Sequence, residues 1–267
     1  MDVDQVRSVQ EHFRRMGAVW TRGYEGRRYL SHLDLQERRG NIHRLLQPLL
    51  TAPGPPLRAL DLGCGTGDVL RGADRERLRV FGVDRVLEML TVAVQNNPGD
   101  RFAASDAMHL PFRPGSFDVV VSAGVLEYLP DPAAALRGVR ALLRPGGHLI
   151  LSMPNRASLL RKLSRIEEAC ERPLSRALGR LRGRPPADTA PRAYRHTHWS
   201  PWAGRRMLKE CGFDVSRTLF NTYGMRGWLG SFAASWRLSS WLTRRFAENE
   251  PVSAFLAHTI VLAARRP

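Results

Sequence analysis

Only three cysteines are spread over the 267 residues, and that scarcity excludes several classes of protein at once. Cys64, Cys170 and Cys211 are odd in number, far apart, and form no Cys-x-x-Cys pair. A disulfide framework and a zinc site of ordinary spacing are both excluded, and a reducing cytosol is the setting such usage suits. Long apolar runs are also missing. The most apolar stretches, Val119–Leu126 and Phe255–Ala264, are too short and too interrupted to span a bilayer, and the opening MDVDQVRSVQEHFRR has no apolar core of a secretory signal. Acidic residues are the third shortage: 25 Asp and Glu stand against 41 Lys and Arg, a formal net charge of +16. So basic a balance favours anionic partners such as nucleic acid, an anionic membrane face or a phosphorylated substrate. It is equally consistent with an Arg-rich coding bias spread over a solvated surface.

What is present fits one α/β domain with appended elements, since 43% apolar residues can bury a core of that size. Residues 1–50 predict helices: Val6, Val9, Phe13 and Met16 recur at helical spacing, as do Ile42, Leu45, Leu46 and Leu49. A Gly- and aromatic-containing stretch, Gly17 to Tyr29, separates them, and TAPGPP at 51–56 acts as a linker. Residues 1–56 therefore read as a helical cap and 57–267 as the main domain. From Leu57 the rhythm changes to short apolar runs between turns: RALDL (58–62), VFGVD (80–84), RFAASD (101–106), FDVVVSAG (117–124) and GHLILSMP (147–154). Helices are expected between most of them, at Asp68–Gly72 onwards, Val86–Gln95 and Pro132–Leu143. Two further strands, Phe213–Phe220 and 254–265, follow a helix over Pro201–Cys211 and bring the sheet to seven. Strands alternating with helices predict a doubly wound, mostly parallel sheet with right-handed crossovers. Two insertions, about 155–198 and 221–250, interrupt the pattern.

The segment ALDLGCGTGDVL (59–70) carries the chemistry. A buried strand ends at Asp61 and runs into Gly63, Gly65 and Gly67, which let the backbone turn sharply and let a ligand approach main-chain N–H groups. Alone this is weak evidence, but three other features fall in order. VFGVD places Asp84 at the end of the second strand, where a carboxylate accepts from both hydroxyls of a ribose. SDA (105–107) offers Asp106 and the Ala107 N–H to an adenine edge, although Asp106 also suits an N-cap. RPGG (144–147) makes a tight turn into the fifth strand. A dinucleotide fold would want G-x-G-x-x-G, which the Gly63–Leu70 run fits poorly.

Together these residues resemble the class I S-adenosylmethionine-dependent methyltransferases, the Rossmann-like group that includes ubiquinone-type and natural-product enzymes. The likeness covers residues 57–154, with a weaker echo in Trp199–Val215, and rests on Leu60–Gly67, Gly82–Asp84, Asp106–Ala107, Leu110–Phe112, Phe117–Val120, Leu126–Leu129 and Leu143–Gly147. It implies S-adenosylmethionine as cofactor, held by Asp61, Gly63, Cys64, Gly65, Gly67, Asp84, Arg85, Met89, Asp106, Ala107 and Ser122. Cys64 is read as a small packing residue rather than a nucleophile, because no Pro-Cys motif accompanies it.

Methyl transfer from a sulfonium is an in-line displacement that rests on positioning and water exclusion, and a phenol acceptor, titrating at about 10, also needs a proton acceptor. Relatives carry a histidine where this chain has Tyr128, which reads as a pocket wall. His196 and His198, in YRHTHW before the helix expected over Pro201–Cys211, are the alternative bases; capping or surface roles compete for each. The fourth strand ends in Val-Ser-Ala-Gly rather than the Pro-Pro-Tyr pattern of nucleobase amine methyltransferases. That leaves a small-molecule or lipid-linked acceptor, methylated on oxygen, as the first expectation and RNA as the alternative. The insertion at 156–184 sets Leu159, Leu163 and Ile166 on one helical face among many arginines, a pattern that suits peripheral contact with an anionic membrane or a lid. In the second insertion Trp228, Phe232 and Trp236 share a face as an apolar lid or as core.

Overall fold

The computed structural model describes residues 3–26, 30–167, 169, 196–224 and 233–267. Two helices, α1 (Val3–Glu25) and α2 (Leu30–Thr51), precede the sheet. Then come β1 (Leu57–Leu62), β2 (Leu78–Asp84), α3 (Leu87–Asn96), β3 (Arg101–Ala104) and β4 (Phe117–Ala123). They are followed by α4 (Pro132–Leu142), β5 (Leu143–Pro154) and a helix over 159–167, here α5. The chain closes with α6 (Pro201–Glu210), β6 (Asp214–Asn221), α7 (Ala233–Phe246), α8 (Glu250–Leu256) and β7 (Thr259–Arg265). The seven strands lie in the order β3-β2-β1-β4-β5-β7-β6, parallel except for antiparallel β7. This is the doubly wound, Rossmann-like methyltransferase sheet that the alternation predicts.

The two-residue period of the strands sorts the core into two layers. Ala59, Val80, Val119, Val121, Ile150 and Val261 face one side and pack with Ile42, Leu45 and Leu46 of α2. Leu60, Val83, Val120, Leu149, Leu151 and Leu262 face the other and pack with Leu136 and Val139 of α4 and Leu208 of α6. Helix α4 starts cleanly because Asp131 caps it, accepting from the Ala134 N–H at 2.9 Å, with Pro132 at the first helical position. Ser200 and Pro201 do the same for α6.

Five local expectations are corrected. Helix α1 continues through Gly17 to Glu25 instead of stopping before the aromatic stretch. No helix follows Asp68: residues 63–77 are turns and bends. Gly63, Gly65, Gly67 and Gly72 all take positive φ there, and Val69 and Leu70 insert individually into the cluster that α2 shares. Strand β3 ends at Ala104, and Asp106 sits beyond it in a short bridge to His109. The RPGG segment is a bulge within β5, whose pairing jumps from Leu143–Phe117 to His148–Val119. The final apolar run is split, with Ala254–Leu256 ending α8 before β7 begins. Of the insertions, α5 and α7 are helical; the calls on Trp228 and Phe232, on the Trp236 side chain, and on 170–184 lie outside the described residues.

Helix α2 is fixed to the far end of the sheet by its polar side. Asp34 Oδ1 accepts from Asn221, Thr222 and Thr259, while Glu37 Oε2 accepts from the Thr222 N–H at 2.9 Å and Thr243 at 2.8 Å. Thr222 has φ 68, a strained value for a β-branched residue, and these bonds hold it there. Burial pushes the Glu37 carboxyl up to about 7.

Candidate active site

The C-terminal edge of β1, β2 and β4 opens into a cavity. Its floor is the glycine loop. The N–H groups of Gly63 and Cys64 both donate to the Val83 carbonyl, at 2.8 and 3.0 Å, tying the loop to β2. Gly63 has φ 68, and a Cβ there would stand 2.3 Å from Val125 Cγ2. Gly63 and Gly65 border the cavity, whereas Gly67 packs behind it, where a Cβ would meet Asn97 Nδ2 at 2.5 Å.

Asp84 organises the wall. Its Oδ2 accepts from the Gly65 N–H and its Oδ1 from the Val86 N–H, each at 2.9 Å, so one carboxylate fixes both the loop and the start of α3. Arg85, Met89 and the segment Ser105–Met108 complete this side. Asp106 accepts from the Met108 N–H at 3.0 Å and pairs with Arg85 and, at 3.5 Å, with His109. Burial opposes its ionisation, but the Met108 N–H and Arg85 hold its carboxyl below the usual range. Cys64 is buried against the cavity, and burial pushes its thiol well above the ordinary range, which supports packing over nucleophilic chemistry. Asp61 and Ser122 are buried on the strands and do not border the cavity. Asp61 Oδ1 and Ser122 Oγ have no hydrogen-bond partner among the described residues, and burial pushes the Asp61 carboxyl up to about 7.

Two contributors, helix α1 and Arg38, were not legible in the sequence, and a third, Glu127, was legible only as a residue that binds or caps. Helix α1 forms the roof, placing Val9, Gln10, Phe13, Trp20 and Tyr24 on the cavity, with the Phe13 ring edge-on to Trp20 at 5.4 Å and Tyr128 at 5.3 Å. Arg38 of α2 is buried, its Nε has no hydrogen-bond partner among the described residues, and its Nη1 lies 2.5 Å from where a Cβ on Gly124 would be. Burial disfavours that charge, yet Tyr24, Asp34 and Glu127 more than offset the penalty. Glu127 faces the same point, its Oε1 3.5 Å from that Cβ position; its Oε2 has no hydrogen-bond partner among the described residues, and burial pushes its carboxyl up to about 7. No spacing in the sequence links Arg38 to Gly124.

The candidate bases converge. His196 Nδ1 and His198 Nε2 are 2.8 Å apart, the His196 ring lies 5.0 Å from the Tyr128 ring, and His196 Nε2 is 3.9 Å from Glu127 Oε1. Tyr128 borders the cavity; the two histidines stand behind it. Among the described residues, no group of three His, Cys, Asp or Glu side chains is placed to hold a metal ion, and no helix is long and apolar enough to cross a membrane.

Comparison with known proteins agrees with this geometry. Residues 60–151 match the methyltransferase domain family. A ubiquinone biosynthesis O-methyltransferase from Ralstonia nicotianae is 36% identical over 111 residues, 40% of this chain and 47% of that protein. An uncharacterized 37.1 kDa protein of transposon TN4556 from Streptomyces fradiae is 38% identical over 121 residues, 43% of this chain and 34% of that one. The chain thus matches less than half the length of these curated relatives. Among solved structures, magnesium protoporphyrin IX methyltransferase from Synechocystis PCC 6803 with bound S-adenosylmethionine superimposes with a TM-score of 0.62 at 17% identity, covering 100% of this chain and 98% of that one. A possible histamine N-methyltransferase from Thermotoga maritima gives 0.59 at 17% identity, covering 96% and 98%. The fold and the matched segment define a class. Residues 60–151 match the methyltransferase domain family, and the chain has the fold of the class I S-adenosylmethionine-dependent methyltransferases.

Proposed function

We propose that the protein methylates a small-molecule or lipid-linked acceptor on oxygen, using S-adenosylmethionine held in the cavity between the glycine loop and α1. The observation that carries this reading is that one cavity brings together Gly63–Gly65, Asp84–Arg85, Asp106–Met108 and Ala123–Val125. When bound, the cofactor supplies an electrophilic methyl group. The chain's residues supply the positioning. Asp84, already fixed by two N–H donors, accepts from the ribose hydroxyls with its remaining lone pairs. Asp106 and Ala107 meet the adenine edge, with Met89 against the ring. Arg38, a buried guanidinium beside Gly124, suits the carboxylate of the methionine end. Phe13, Trp20 and Tyr24 exclude water from the reacting centre.

For a hydroxyl acceptor, the proton passes beside Tyr128 to the His196–His198 pair, with Glu127 next to His196 stabilising the positive charge. The 36%-identical relative is named for O-methylation in ubiquinone biosynthesis, which supports oxygen as the accepting atom. On α5 the side chains of Leu159, Leu163 and Ile166 are exposed beside exposed Lys162 and Arg165, which supports peripheral contact with an anionic lipid surface.

The test uses cofactor with a tritiated methyl group, incubated with extract of the source cell and the protein, then fractionated. Label in the organic or small-molecule fraction, absent with Asp84→Ala, is the expected result. Label in RNA would replace the acceptor class with nucleic acid.

A further inference from the structure

At the opposite end of the sheet, where β1, β2 and β3 begin, lies a second cleft lined by Arg58, Arg75, Arg79 and Arg101 with Phe81 and Asp100. Arg75 is already engaged. Its Nε and Nη2 hold Asp100 at 2.7 and 2.6 Å, and its Nη1 donates to the carbonyls of Leu70 and Ala73. The other three are not. Among the described residues none of Arg58, Arg79 and Arg101 forms an ion pair with a carboxylate. Asp118 accepts from the Arg58 backbone N–H at 2.6 Å, but its ion pair is with Arg144, at 2.8 Å.

The register forces these cations together. Arg58 and Arg79 are direct partners on adjacent parallel strands, so their side chains leave the same face of the sheet about 4.8 Å apart at the backbone. Arg101 pairs with Phe81, two residues beyond Arg79, and shares that face. Like charges set directly opposite one another are destabilising. Aromatic rings fix two of them: the Arg58 guanidinium lies 6.0 Å from the Phe117 ring centre and that of Arg101 5.6 Å from Phe81, the two rings being 5.9 Å apart. The result is three positive groups on neighbouring strands, two of them pre-oriented, with a single carboxylate in the cleft that Arg75 already takes.

We propose that this cleft binds a compact phosphate anion of the diphosphate type, with Arg58 and Arg79 on one phosphate and Arg101 on the next. Guanidinium groups recognise phosphate oxygens through paired N–H donors, and an ion of that size answers three converging cations without a long basic track. A nucleic-acid strand would need such a track leading away from the cleft. The site is separate from the methyl-transfer cavity, since it uses the starts of strands whose ends form that cavity.

Calorimetric titration of the full chain with inorganic diphosphate tests this, with S-adenosylhomocysteine affinity as the control for folding. The expected result is binding that weakens by at least about tenfold in Arg79→Gln and further in the Arg58→Gln, Arg79→Gln double variant. S-adenosylhomocysteine affinity should stay within about twofold in both, because neither residue borders that cavity. Absence of binding to the wild type at low salt would overturn the proposal, as would equal affinity in Arg79→Gln. A short RNA that binds more tightly than diphosphate and cannot be displaced by it would also overturn it, in favour of nucleic acid.

Discussion

The two sides of the cavity are built by different means. On the β1–β2 side the ligand wall is backbone: Gly63, Gly65 and the N–H groups that Asp84 organises, all within a short stretch of chain. Behind its β4 side, set back from the cavity surface, stand buried polar side chains, Arg38, Glu127 and the Asp34–Glu37–Thr222 network, joined across separations of up to 188 residues in sequence. Backbone sites tolerate little steric change, because a Cβ at a tight glycine fills space that the turn needs. Side-chain sites tolerate shape change better but carry charges whose burial costs stability. The comparison teaches that one half should respond to Cβ atoms and the other to protons.

The largest effect should come from the backbone side. Gly63→Val adds a side chain at positive φ, 2.3 Å from Val125, and should cost roughly 3 kcal/mol or more, a fall in Tm of about 10 °C, together with cofactor binding. A stable, cofactor-binding Gly63→Val protein would break the comparison. Next, Arg38→Gln should weaken S-adenosylhomocysteine binding about thirtyfold while leaving 5′-methylthioadenosine, which lacks the carboxylate, within about twofold. Equal losses for both ligands would mean that Arg38 only holds the fold.

The pH response sharpens the other side. Burial raises the Glu37 carboxyl to about 7 from an unfolded value of 4.5. A carboxyl whose folded value is raised contributes stability that is fully present below about 4.5 and is lost as pH climbs through about 7. Glu37→Gln cannot lose a proton, so its Tm should fall by several degrees less than the wild type's between those pH values, measured by calorimetry. Identical pH profiles would remove Glu37 from the account. The smallest effect is expected for Cys64→Ala, because its protonated, buried thiol has no chemical role: methyl transfer should remain within about threefold of wild type.

Much of the cofactor side was legible in the sequence because its parts are contiguous. The strand ends, the glycines and Asp84 lie in order along one stretch, and the short apolar runs marked β1, β2, β4 and β5 to within a few residues. Three things were not legible, each for a physical reason. Helix propensity could not show that the β1–β2 crossover is irregular, because Val69 and Leu70 are placed by packing under α2. The aromatic content of Gly17–Tyr29 suggested a loop, whereas Trp20 and Tyr24 extend α1 over the cavity. Arg38 is one arginine among many, and only the fold brings it against Gly124.

The most direct test of the account is a calorimetric titration of S-adenosylhomocysteine into the wild type and Asp84→Ala. The account predicts one site per chain, with affinity about a hundredfold weaker in the variant, since a charge-assisted hydrogen-bonding group and the loop it holds are both lost. Equal affinity in the two proteins, or no binding to the wild type, would contradict the assignment of this cavity to the cofactor.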